Sequence, residues 1–243
     1  MMDLACDLPE PRHMRWWRRN PRPLAQKLAR LAGTPDHTRM STVIPFKPRG
    51  VRAELREAFE QRLPLRILRE RLQPGVIHGY VAALSRDFCL IAEVGDAMRF
   101  DGYIAIAVAD ISSLETDPAR EFVEKALALR GEALAIPADF HLDDWASIAR
   151  SAAACAPLIS VNMLEDDEGE ISYVGQLERI DLQTLVLREL DPNAAWYPDT
   201  GVYEFDVLGS IGFGSGYLEA LWLVAGSPAD PLSPRASLSD TLH

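Results

Sequence analysis

Hydrophobic and polar positions run through one order twice along this chain. Gly79 heads an apolar stretch that Asp110 closes 31 residues later, and Gly175 and Asp206 stand in the same relation. The offset between the copies is 96 residues, and it carries Leu90 onto Val186, Ile91 onto Leu187, Ile111 onto Val207, Phe122 onto Leu218 and Leu127 onto Leu223. A constant offset of this length marks two copies of one supersecondary unit, so each copy can be used to correct the other.

The second copy is the cleaner one. Asp143-Asp144-Trp145 opens a helix, because carboxylates favour the positive N-terminal end. Trp145, Ile148, Ala149, Ala152 and Ala153 recur at helical spacing until Pro157 ends the run. Apolar runs at 158–164 and 171–177 flank the polar, glycine-containing segment 165–170, which predicts a hairpin. Residues 184–190 form a third strand, Asp191-Pro-Asn193 a turn, 202–205 a fourth strand with period-two alternation, and 207–211 a short fifth. A helix over 217–225 closes the copy, with Gly226 as its cap.

The first copy looks at first like one long helix over 52–72, but Pro64 lies inside it near the place that Pro157 takes in the second copy. A proline in a helix interior costs about 3 kcal/mol. The helix is therefore expected to end near Leu63, with strands at 65–71, 76–84, 88–94, 98–108 and 110–114. The closing helix covers 118–129, with Asp117 as N-cap, Pro118 at the first position and Gly131 past its end.

Composition narrows the class. A 243-residue chain with 48% hydrophobic residues can bury a substantial core. Its net charge of −11 disfavours phosphate backbones. The charge is unevenly spread: residues 1–40 hold eight basic and four acidic side chains, a net of +4, so the remainder carries about −15. That segment includes Trp16-Trp17 and a possible short helix from Pro23 to Leu31, and it is expected to be a disordered basic arm; its other reading is an arm for RNA or an anionic membrane. Met40-Ser-Thr-Val-Ile-Pro-Phe resembles a natural bacterial start. The expected organisation is an extension at 1–40, a first unit at 41–135, a second at 136–227 and a disordered tail at 228–243. Cys6, Cys89 and Cys155 form no CxxC pair, which fits a reducing, cytoplasmic setting, and Cys89 in Phe88-Cys-Leu-Ile reads as buried. No run approaches the ~20 apolar residues of a membrane span.

A helix followed by five short, bent strands resembles the order of Sm-like (SH3-like) small barrels. The rhythm of Gly79-Tyr-Val…Phe88-Cys-Leu-Ile and Ala109-Asp-Ile-Ser-Ser-Leu is similar to that superfamily over about two thirds of the chain. The chain also resembles bacterial proteins that carry "DGY-apolar-DI" and "YxGxL…LRELDP", a likeness that implies no catalytic residues. The resulting fold expectation is mostly β with flanking helices (α+β), arranged as two tandem five-stranded Sm-like barrels.

Candidate chemistry is sparse. Gly209-Ser-Ile-Gly-Phe-Gly-Ser-Gly-Tyr217 could cradle a phosphate ahead of a helix. It lacks the Gly-Lys-Ser/Thr of a P-loop, and its counterpart 113–118 carries two acids, so it reads as a strand-to-helix turn. His141-Leu-Asp-Asp144 reads as a helix cap beside a surface histidine rather than a metal site. The acids of 165–170 lack the calcium-loop pattern. His78 precedes the repeat glycine, and Asp87, Asp101, Asp181 and Asp191 sit at strand ends, where acids favour turns. No metal or cofactor is expected. Aromatic residues are the better candidates: Tyr80, Tyr103, Tyr173, Trp196 and Tyr203 are taken as ligand-binding positions, because small barrels bind peptides or bases through such rings; their other reading is interior packing. The function read from these features is a non-enzymatic binding or regulatory module that engages a protein or small ligand, with oligomers allowed. The alternatives are an Sm-like RNA-binding protein and a hydrolase or transferase with its site between the copies.

Overall fold

The polypeptide alternates between helix and strand at the places where its apolar period changes. A computed structural model describes residues 50–70, 73–165 and 169–228. The basic extension at 1–40, the tip of the acidic segment at 166–168 and the tail from 229 lie outside the described residues. The described residues all belong to one compact unit.

Helix α1 (Val51–Gln61) buries Leu55 and Ala58 along one face. It stops where Arg62 turns left-handed (φ 53°) and gives its N–H to the Ala58 carbonyl. Pro64 then starts strand β1 (Pro64–Arg69), a position where a proline's missing N–H costs little. The sheet continues with β2 (Gln73–Leu84), β3 (Phe88–Val94), β4 (Phe100–Ala107) and β5 (Ser113–Thr116), followed by α2 (Arg120–Leu129). The second half follows with α3 (Trp145–Cys155), β6 (Ile159–Glu165), β7 (Gly169–Ile180), β8 (Thr184–Leu190), β9 (Trp196–Glu204), β10 (Leu208–Phe213) and α4 (Gly216–Ala225).

Corresponding elements match in length. β2 and β7 have 12 residues each, β3 and β8 have 7, and α2 and α4 have 10. Register irregularities fall at Val81/Ala83 and Leu177/Arg179, and again at Ala92/Val94 and Arg188/Leu190; both pairs are 96 residues apart. Gly79 lies where a Cβ would meet the Ala92 carbonyl oxygen, and Gly175 where it would meet that of Arg188.

All strands pair antiparallel in one sheet of order β5-β1-β2-β3-β4-β10-β6-β7-β8-β9. The mostly-β, helix-flanked class expected from the sequence is therefore present, while the strands form a single open sheet in place of two tandem five-stranded barrels. The seam is β4–β10, where Tyr103, Ile104, Ala105 and Ile106 face Phe213, Gly212, Ile211 and Ser210. Each half would otherwise leave a row of unpaired backbone groups at that edge, and the seam satisfies both rows.

Two cores result. One packs α1 on Leu65, Ile67, Val81, Cys89, Ile91, Ile104, Ile106 and Ile111. The larger packs Ile148, Ala149 and Ala152 of α3 on Ile159, Val161, Leu185, Leu187, Ile211 and Phe213, and it also takes Ala82, Leu90, Ala92 and Ala105 from the opposite face of β2–β4. Leu90 and Ile91 are thus buried in different cores, because adjacent strand residues point to opposite faces.

Several local expectations are corrected. A 3-10 turn at Val108–Asp110 pushes the fifth strand later than 110–114. β9 begins well before residue 202, because Trp196 already pairs with Leu190 across the turn. The glycine-rich segment is strand up to Phe213, and Gly209, Ser210, Ile211 and Gly212 are all buried. Asp117 does not cap an α-helix that starts at Pro118: α2 starts at Arg120, and the Asp117 carboxylate instead accepts the Ala119 N–H at 2.8 Å.

Candidate functional site

Of the five aromatic positions singled out in the sequence, three lie at separate places and two meet. Tyr80 on β2 is buried against Val123 and Leu127 of α2, edge-on to Phe100 at 5.8 Å. Burial, with Glu124 nearby, pushes its hydroxyl up to about 12. Tyr103 on β4 stacks on Phe213 at 5.1 Å, and Phe140 also stacks on Phe213, at 5.3 Å. Its hydroxyl donates to the Ala135 carbonyl at 2.9 Å, which ties the segment after α2 to the sheet. Trp196 on β9 meets Trp222 of α4 edge-on at 6.4 Å and donates to the Gly226 carbonyl at 3.3 Å. Only Tyr173 and Tyr203 are brought together, at 4.9 Å on β7 and β9. Tyr203 donates to the Glu189 carboxylate, and burial followed by that bond raises its pKa. Gly201 leaves the room for this approach, since a Cβ there would run into both groups.

The other sequence candidates take part in local structure. His78 is half exposed, with Nδ1 3.3 Å from Asp117 Oδ2. Asp144 caps α3 by accepting the Ser147 N–H at 2.7 Å, and the His141 N–H goes to Ser151 Oγ. Asp101 accepts the Gly216 N–H at 2.8 Å at the start of α4, Asp181 pairs with Arg179, and Asp191 accepts the N–H groups of Asn193 and Ala195. Cys89 is fully buried, and burial pushes its thiol up to about 12. Among the described residues, no group of three or more His, Cys, Asp or Glu is placed to hold a metal ion. No described helix is long and apolar enough to cross a membrane.

The feature that stands out was not singled out in the sequence. Helix α4 reads Gly-Tyr-Leu-Glu-Ala-Leu-Trp-Leu-Val-Ala, with Glu219 its only charge. Ser215 caps it by accepting the Leu218 N–H at 3.3 Å. Leu218 and Leu221 turn inward onto Leu158 and Leu190. The helix is apolar on its outer side too: Leu223 is 83% exposed, Val224 76% and Tyr217 43%. Between α4 and the end of α3 runs a groove of about 250 Å³, lined by Ala156, Pro157, Leu158, Leu218, Glu219, Trp222 and Leu223. By contrast, α2 breaks up its exposed Phe122 and Leu129 with Arg120, Glu121, Glu124 and Lys125. The signal was available in the sequence: a helix with apolar residues on every face has a second surface to cover.

Comparison of the chain with protein-family models, with curated proteins and with solved structures gave no match.

Proposed function

We propose that this protein is a non-enzymatic binding module that docks another protein on the outer face of α4 and the adjoining groove. The observation that carries the reading is the exposure of Leu223 and Val224 beside a groove lined mostly by Pro157, Leu158, Leu218 and Trp222. Water-exposed apolar surface of this kind is costly unless something covers it, and contiguous patches mark interaction sites. A partner with an amphipathic helix fits, its apolar side chains entering the groove and its polar side staying in water. The net charge of −11 favours a partner segment with basic residues around the apolar ones.

We read each half of the sheet, with its cap helix, as an Sm-like unit. The matched strand orders β5-β1-β2-β3-β4 and β10-β6-β7-β8-β9 support this reading, as do the bulges 96 residues apart. In this reading the two units serve as a rigid platform, and α4 carries the recognition. The setting is cytoplasmic.

The test compares the full chain with its Leu223→Asp/Val224→Asp variant in pull-downs from native lysate, scored for protein and for RNA. Retention of a discrete protein by the parent and not by the variant supports the reading. Equal retention by both, or retention of RNA alone, overturns it.

A further inference from the structure

We infer that copies of this chain associate head to tail by antiparallel pairing of β9 of one copy with β5 of the next. The β4–β10 seam inside the chain is the pattern for such a contact. In each half the strands follow one order, and the seam joins the last strand of the first order, β4, to the first of the second, β10. Among the described residues, the two outer strands, β5 and β9, each pair on one side only. β5 stands in the first half where β10 stands in the second, and β9 stands in the second where β4 stands in the first. Each chain therefore ends on the two strand types that its own seam joins.

The seam also fixes the register. On β4, Tyr103 and Ile106 pair with Ala92 and Cys89 of β3; on β9, Thr200 and Tyr203 pair with Arg188 and Leu185 of β8. The seam segment 103–106 therefore corresponds to Thr200–Tyr203. On β10, Phe213 and Ser210 pair with Ile159 and Asn162 of β6; on β5, Thr116 and Ser113 pair with Leu65 and Leu68 of β1. The seam segment 210–213 therefore corresponds to Ser113–Thr116. The pairs between copies are Ser113 with Tyr203, Leu114 with Val202, Glu115 with Gly201 and Thr116 with Thr200.

Three of the four pairs at this register are compatible, and the fourth sets Glu115 beside the Glu189 carboxylate. Leu114 is partly buried against the first core, and Val202 is 59% exposed, so their pairing covers an apolar residue that the single chain leaves in water. Glu115, already held by Arg66 at 3.3 Å, faces Gly201, where the Glu189 carboxylate fills the space over the glycine, engaged by the Tyr203 hydroxyl. Thr opposite Thr is a favourable cross-strand pair. Pro198, which cannot donate to a ladder, lies two residues outside the paired segment. Because the joined surfaces differ, the contact is head to tail, and it closes into a ring or extends as a filament according to the rotation per copy. It uses the sheet edges and not α4, so it stands apart from the docking reading above.

The test uses the full chain in sedimentation and light scattering across a wide concentration range. The expected result is masses at multiples of the 27.0 kDa chain that grow with concentration. Val202→Lys places a charge on the exposed edge and should weaken association by about tenfold or more, the way edge lysines block strand pairing. Leu223→Asp/Val224→Asp should leave association intact. In a Cys6→Ser/Cys155→Ser background, Leu114→Cys combined with Val202→Cys should oxidise to a ladder of linked chains, whereas Leu114→Cys alone should not. A monomer at every concentration overturns the inference. So does association unmoved by Val202→Lys but lost on changing α4, and so does cross-linking by Leu114→Cys alone.

Discussion

Gly79 and Gly175 offer the sharpest test of the packing account. Neither has a positive φ, so the need for glycine at these positions is steric and not conformational. A Cβ at residue 79 would meet the Ala92 carbonyl oxygen and the Ile91 side chain, and one at residue 175 would meet the Arg188 carbonyl oxygen and Leu187 Cβ at 3.1 Å. The obstructing atoms are backbone on the neighbouring strand, so no rotamer change relieves them. Each alanine must push β2 from β3, or β7 from β8, next to a shift in the ladder's register. Overpacking of this kind costs about 1–3 kcal/mol. For a chain of this size that corresponds to a fall in melting temperature of roughly 2–4 °C per kcal/mol, or about 4–12 °C for a loss near 2–3 kcal/mol. Gly79→Ala and Gly175→Ala should be measured side by side by thermal and urea unfolding. Losses of similar size are expected, because the same obstruction is present twice. If both variants melt within about 1 °C of the parent, the close approach is wrong. If only one is damaged, the two sites are not equivalent.

Leu187→Ala removes a fully buried side chain from the larger core and should cost about 2–5 kcal/mol in denaturant unfolding; a loss below about 1 kcal/mol would show that the core relaxes into the space. Asp144→Ala removes the cap of α3 and should cost about 1 kcal/mol at neutral pH. The Ser147 N–H holds the Asp144 carboxyl below its ordinary 3.8, so its contribution is complete above that value and is lost as pH falls through the folded value. The gap between parent and variant should therefore narrow in acid, and a gap that is constant with pH would refute the capping account.

Much of the element order was legible before the structure. The strands at 88–94 and 184–190 were placed to the residue, and ending the first helix at Pro64 was decided by comparing the two copies. Local chemistry was enough there: a proline forbids helix, and a bounded apolar run favours a strand. The misplaced elements lay where pairing across the sheet decides the outcome. Trp196 is in strand because Leu190 pairs with it, and the fifth strand, expected to end at Ile211, runs on to Phe213 because β4 and β6 flank it, although the glycines there suggested a turn.

The site was less legible, for a related reason. Tyr80, Tyr103 and Trp196 were attractive as aromatic residues on strands, but an aromatic ring is equally suited to packing under a helix. Only the placement of α2, α4 and the segment after α2 decides which role each ring takes. By itself the sequence determined the order of most elements and the apolar face of most of them, since periods of two and of 3.6 residues are local properties. It could not determine what each face or edge would meet. Backbone N–H and C=O groups are the same at every residue, so the joining of β4 to β10 left no mark in either strand. The exposure of α4 likewise depends on which of its sides the rest of the sheet covers.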